Sequence, residues 1–154
     1  MQKLLVAAFA LLVAAPAFAQ TDIINVENDD PVMEAAIEKA RSSLPQFWET
    51  FAAPAANEAD FSLKLGIVDG QHTEHFWCSD IEGDADAATC VIANEPVYVD
   101  NVAYGERVDV DPAIISDWMY YRDDRIVGGE TIKALLPQLD KKEAARLSAQ
   151  FADE

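Results

Sequence analysis

Two residues of this chain have the type and setting to carry proton chemistry. His75 lies in Thr73-Glu74-His75-Phe76-Trp77, where alternation puts Thr73, His75 and Trp77 on one face of an expected strand. A histidine beside carboxylates can act as a general base. It can equally hydrogen-bond a neighbour and pack beside Trp77, and that structural role is favoured. Asp117 interrupts an otherwise apolar strand, on a face with Ile115 and Met119. A carboxylate buried there must be paired or hydrogen-bonded. Arg107, Arg122 or the backbone N–H groups of the Gly128-Gly129 turn could serve, so a structural role is again favoured over a catalytic one. Were His75 and Asp117 to converge, with Ser79 or Ser116 nearby, a small hydrolase would be conceivable. No G-x-S-x-G elbow supports it.

Trp77, Trp118, Tyr120 and Tyr121 are the candidates for recognition. Aromatic residues on two strands can line a pocket or an interaction surface, or simply fill the core. Core filling is the ordinary role of the tryptophans. Alternation separates Trp118 and Tyr120 from Tyr121, which leaves one aromatic face open to solvent. Asp80, Glu82, Asp84 and Asp86 place a carboxylate at every second residue of a turn and could gather oxygen around calcium. The EF-hand pattern fails, because the glycine is misplaced and the distal Glu is missing, so a solvated turn is expected and no metal is assigned.

The cysteines give the sharpest structural expectation. With a hairpin turn centred on Asp84, Cys78 and Cys90 face each other across neighbouring strands. Cross-strand Cβ atoms lie about 4.5–5.5 Å apart, close enough for a disulfide after small adjustment. Closing so short a loop contributes about 3 kcal/mol. A redox pair is the other reading, but the spacing is not C-x-x-C and nothing nearby would lower a thiol pKa. No haem-attachment motif is present, and no cofactor is expected.

These residues need a scaffold. Asp30 is an expected N-cap with Pro31 at N1. Met33, Ala36, Ile37, Ala40 and Leu44 then fall on one helical face. Pro45 is expected to stop this helix, with Phe47, Trp48 and Phe51 in a second short helix or turn. Ala52 to Asp60 reads as a linker. Phe61 to Ile67 alternates as a strand, Asp69-Gly70 marks a hairpin, and Thr73 to Ile81 returns. Glu82 to Ala87 is an acidic turn and Thr89 to Ala93 a third strand. Val97 to Val99 forms a short edge segment. Arg107 to Val110 and Ile114 to Tyr121 are further strands, followed by a turn at Asp123-Asp124. Gly128-Gly129 opens a helical region, and Asp140 with Glu143 caps a last helix whose apolar face is Ala144, Leu147 and Phe151. Helix, about five antiparallel strands, then helices make an α+β fold.

Glu74-His75-Phe76-Trp77, Asn94-Glu95-Pro96, Gly105, Ser116-Asp117-Trp118-Met119-Tyr120 and Gly128-Gly129-Glu130-Thr131 occur in this order between Phe61 and Leu136. Over about half the chain this resembles the YegJ-like bacterial domain family (DUF2314), a family of unknown function. The family tends to read Gly-Tyr-Thr where this chain has Gly129-Glu130-Thr131. The resemblance implies a compact α+β domain and supplies no reaction, ligand or catalytic residue.

The first nineteen residues set the compartment. Lys3, the apolar run Leu4 to Ala15, and Ala17-Phe18-Ala19 have the form of a secretory signal peptide cleaved between Ala19 and Gln20. The run is too short to span a membrane, and no cysteine follows it for a lipid anchor. The expected layout is 1–19 signal peptide, 20–60 acidic lead-in, helix and linker, and 61–154 YegJ-like core, with 20–154 one domain. Ile23 to Val26 is read as a short strand. Localisation is then periplasmic or secreted. The formal charge is -17, becoming -18 when Lys3 leaves. Such a surface repels nucleic acid and anionic membranes, opposes self-association, and suits a monomer with an unidentified protein or small-molecule partner, possibly a cationic one. A non-enzymatic binding or interaction module is the favoured function. A His75–Asp117 hydrolase and a calcium-stabilised domain are the alternatives.

Overall fold

The computed structural model describes residues 30–153. The expected leader, its expected Ala19–Gln20 cleavage point and the expected Ile23–Val26 strand lie outside them.

Asp30 caps α1 (Pro31–Ala52), its Oδ1 accepting from Val32 N–H at 2.8 Å. Pro45 lies inside this helix rather than ending it, which corrects the expectation of two pieces. A proline there costs about 3 kcal/mol. The aromatic face beyond it overrides that cost. Phe47 is fully buried, with ring centroids 5.2–6.1 Å from Trp48, Phe51, Phe61 and Trp118. Each such side chain contributes about 1.5–3 kcal/mol on burial. The turn preceding Pro45 is also pinned, since the Trp118 indole N–H donates to the Ala40 carbonyl at 2.9 Å.

Six antiparallel strands form one sheet: β1 (Glu58–Asp69), β2 (His72–Gly83), β3 (Ala88–Ile92), β4 (Arg107–Asp109), β5 (Ile115–Arg122) and β6 (Arg125–Gly128). The spatial order is β4-β3-β2-β1-β5-β6. β1 is therefore central, between β2 and β5. It starts at Glu58 and absorbs the end of the expected linker. β2 extends to Gly83 and shortens the acidic turn. β6 is an additional strand, made by a two-residue turn in which Asp123 and Asp124 both take positive φ, as a type I′ turn demands. Pro112–Ile114 is a 3₁₀ turn, so β5 begins one residue later than expected.

The loop from Ala93 to Glu106 contains no strand, and Val97 to Val99 is not an edge segment. Gly105 N–H and Glu106 C=O pair with Ile92 and lead into β4. After β6 come α2 (Glu130–Leu135), a 3₁₀ turn (Leu136–Gln138) and α3 (Lys141–Ser148). Asp140 caps α3 by accepting from Lys142 and Glu143 N–H. Phe151 falls beyond α3, not on its face. It bridges in parallel to Ile126 and is buried there. The core joins Ala40 and Phe47 of α1 to Leu63, Leu65, Phe76, Cys78, Trp118 and Tyr120 of the sheet.

Cys78 and Cys90 are disulfide-bonded, with Cα atoms 5.6 Å apart. Their register differs from the expected one. Cys78 faces Ile92, and the cysteines meet on the diagonal. A bulge after Ser79, with Asp80 at φ 47°, shifts the hairpin beyond it.

Candidate functional site

The chemistry-bearing residues assemble along the middle of the sheet and the start of α2. His75 Nδ1 lies 2.9 Å from Ser116 Oγ. The two residues are on β2 and β5, with β1 between them. Gly66 makes the crossing possible: it pairs with His75, and a Cβ there would sit 3.0 Å from His75 Cε1. Ser116 Oγ also lies 3.3 Å from the Lys64 carbonyl, to which it can donate. The consistent arrangement has His75 Nδ1–H donating to the hydroxyl and the hydroxyl donating to the main chain. Partial burial, then the cations Lys64 and Arg41, hold the His75 pKa below the ordinary histidine value. His75 as a residue remains exposed to solvent.

Asp117 is fully buried and spends both oxygens on hydrogen bonds. Oδ1 accepts from Trp118 N–H at 2.8 Å and Glu130 N–H at 3.2 Å. Oδ2 accepts from Thr131 N–H at 2.8 Å and Thr131 Oγ1 at 2.6 Å. It thus caps α2 from another element. The helix's own N-cap, Gly129, has no side chain to do so. Burial pushes the Asp117 carboxyl up, against the Thr131 and Trp118 hydrogen bonds and the Lys64 charge, which favour the anion. Lys64 pairs with Asp117 in the β1–β5 ladder, and its ammonium reaches Thr131 Oγ1 at 3.0 Å and lies 5.5 Å above the Trp77 ring. Burial lowers the Lys64 pKa, with Asp117 opposing.

His75 and Asp117 therefore serve different partners. A histidine 2.9 Å from a serine has the spacing of an activated nucleophile. Here the hydroxyl is only 2% exposed and its proton is directed to a carbonyl. Among the described residues no carboxylate hydrogen-bonds the ring's other nitrogen.

The remaining candidates are placed as follows. Trp118 and Tyr120 are core residues, 4% and 0% exposed, because both pack under α1 with Phe47 and Phe61. They offer no surface to a ligand. Tyr120 Oη accepts from Arg122, which also pairs with Glu58. Trp77 is half-buried beneath Lys64. In the acidic stretch, Asp84 Oδ1 accepts from Asp86 and Ala87 N–H, and Glu82 pairs with Arg107. Among the described residues no group of three or more His, Cys, Asp or Glu side chains could hold a metal ion.

A second constellation went unnoticed in the sequence. Glu74 accepts from Val97 and Tyr98 N–H, and Asn94 Oδ1 accepts from Trp77 N–H. Asp69 accepts from Asp100 N–H, and Asn101 donates to the Val68 carbonyl. These bonds fasten the 93–106 loop to the β1–β2 hairpin. The loop so held exposes Val97 (50%) and Tyr98 (48%), with Tyr104 (61%) further along it, while Val68 (59%) pairs with Thr73 on the other face of the hairpin. The Tyr98 ring stacks on His72 at 6.3 Å.

A bacterial family described as an uncharacterized protein conserved in bacteria (DUF2314) matches residues 30–152. The chain belongs to this family. Uncharacterized protein YegJ of Escherichia coli strain K12 is 35% identical over 153 residues, covering 98% of this chain and 99% of YegJ. A putative ankyrin repeat protein of Neisseria meningitidis serogroup B is 35% identical over 137 residues, covering 84% of this chain and 54% of that protein. No solved structure matches. The segments through which the chain resembles DUF2314 proteins turn out to be mutual supports. Glu74 holds the loop after Pro96, His75 holds Ser116, Asp117 holds Glu130 and Thr131, and Gly128 packs against Trp118, where a Cβ would lie 2.7 Å from the indole ring.

Proposed function

We propose that this DUF2314 protein is an exported, periplasmic interaction module and not an enzyme. The observation that carries the reading is the adjacent pair Val97 and Tyr98, exposed on the anchored 93–106 loop. Exposed aromatic and aliphatic side chains held on a fixed backbone suit recognition, because little ordering entropy is lost on binding. The buried polar groups argue in the same direction. Asp117, Thr131 and Ser116 are buried and committed to the fold, so this cluster presents no nucleophile to a substrate. The leader, by its form, supports export, and the disulfide suits an oxidising compartment.

Osmotic-shock fractionation followed by mass spectrometry tests the first part. A periplasmic chain beginning at Gln20 is expected, and an unprocessed cytoplasmic chain would overturn export. Thermal unfolding of the chain purified from that fraction, against metabolites, metals and peptides, tests the second. A ligand of the native state raises the midpoint by mass action, and Tyr98→Ser with Val97→Ser should remove the shift. Turnover of ester or amide substrates that disappears in Ser116→Ala would overturn the non-enzymatic reading.

A further inference from the structure

Charge is distributed unevenly over this fold. From Ile67 to Asp109, the stretch that builds the β1–β2 hairpin, β2, β3, the 93–106 loop and β4, there are ten Asp and Glu residues and one Lys or Arg, Arg107. That arginine is already engaged, pairing with Glu82 at 3.2 Å and donating to the Asp80 carbonyl at 2.9 Å. Apart from Lys3 in the leader, the other nine cations all lie on α1, β1, β5, β6, α2 and α3. The exposed Val97 and Tyr98 sit inside the acidic half. Glu95, Asp100 and Glu106 are exposed on the same loop as Val97, Tyr98 and Tyr104.

An apolar centre with a charged margin is the usual anatomy of a protein–protein contact. The centre supplies the binding energy, while the margin selects the sign of the partner and speeds its approach. Here the margin is negative throughout, so it repels acidic proteins and nucleic acid. The backbone beneath is fixed in advance by Glu74, Asn94, Asp69 and Asn101.

We infer that the 93–106 loop and the β1–β2 hairpin dock a Lys/Arg-rich segment of a partner protein carrying an apolar anchor, which seats on Val97 and Tyr98. This rests on the interaction-module reading and names the class of partner.

The test uses ¹⁵N-labelled protein and three synthetic 15-residue peptides: lysines and arginines around a central Phe-Leu pair, the same peptide with Ser-Ser at the centre, and a glutamate counterpart of the first. The Phe-Leu basic peptide should perturb amide signals in 68–72 and 95–104, and its affinity should fall as salt rises. Tyr98→Ser with Val97→Ser should weaken it about tenfold. Glu95→Gln with Asp100→Asn should weaken it and flatten the salt dependence. Lys142→Gln on α3 should change nothing. Equal affinity for the Ser-Ser peptide would reduce the effect to diffuse attraction and overturn the proposal. So would perturbations confined to other surfaces, preference for the glutamate peptide, or concentration-dependent dimerisation abolished by Tyr98→Ser, which would make a second copy the occupant. If no basic peptide binds while another ligand raises the unfolding midpoint through the same patch, the partner class is wrong and the interaction module stands. If nothing binds the patch at all, both fail.

Discussion

The His75 ring crosses the central strand directly above Gly66 to reach Ser116 two strands away, with Nδ1 and Oγ 2.9 Å apart. A single absent side chain thus lets β2 and β5 communicate over β1. Gly66→Ala should lose about 1–2 kcal/mol, because the new methyl pushes into the ring. The same change in a His75→Ala background should be neutral or stabilising by about 0.5 kcal/mol, since alanine suits a strand better than glycine. A double-mutant cycle in urea checks this. Additive losses would show that the ring does not depend on the gap.

Asp117 should matter for stability more than for any turnover. Asp117→Asn can no longer accept at both oxygens and leaves the partly buried Lys64 ammonium without its counter-charge, at a cost of about 3 kcal/mol. Thr131→Val removes the hydroxyl that donates to Asp117 and receives Lys64, at about 1–2 kcal/mol. Hydrogen exchange should show the α2 amides losing protection first in both variants.

The acid response has a definite sign. The folded His75 pKa lies below its ordinary value of 6.5. Its contribution to stability is therefore complete above 6.5 and is lost as pH falls from there through the folded pKa. Denaturant midpoints should drop between pH 7.5 and 5, and less so in His75→Gln. Asp117 acts in the opposite sense. Its folded pKa is raised, so it costs stability at higher pH and returns it as pH falls through the folded value toward 3.8. An NMR titration assigns each step.

Reduction of Cys78–Cys90 should lower stability by about 3 kcal/mol, the loop-closure value for so short a loop, and leave the fold intact. Urea curves with and without reductant measure it. Loss of native dispersion in the amide spectrum on reduction would show that the bridge is needed to fold.

Alternation made β1, β2, β3 and β5 legible, and Asp30 and Asp140 announced their helices. What escaped depends on contacts distant in sequence. Pro45 reads as a stop until Phe47 is known to pack on Phe61 and Trp118. β6 has four residues, too few to show a period, and is recognised only through its pairing with β5. The bulge after Ser79 moved the cysteines onto a diagonal that no hairpin arithmetic contains. At the site, Asp117 was legible as a buried carboxylate needing donors, but these are Trp118, Glu130 and Thr131 N–H, not the Gly128-Gly129 amides, Arg107 or Arg122. Lys64 and Thr131 were not legible. Gly66 did carry a signal, since a glycine inside a strand often marks a close approach by another group.

Residues 150–152 also pair along an edge of the sheet. Ile126 N–H donates to the Gln150 carbonyl, and the Ile126 carbonyl accepts from Ala152, both at 2.8 Å. Residues 150–152 thereby occupy the outer rim of β6 in the way a neighbouring strand would. A chain shortened before Gln150 would lose the buried Phe151 and bare two backbone groups on an open edge, where a second molecule could join. Residues 150–152 thus occupy pairing positions that another strand could otherwise take, and a fusion or truncation here should be judged by whether it leaves that short pairing undisturbed.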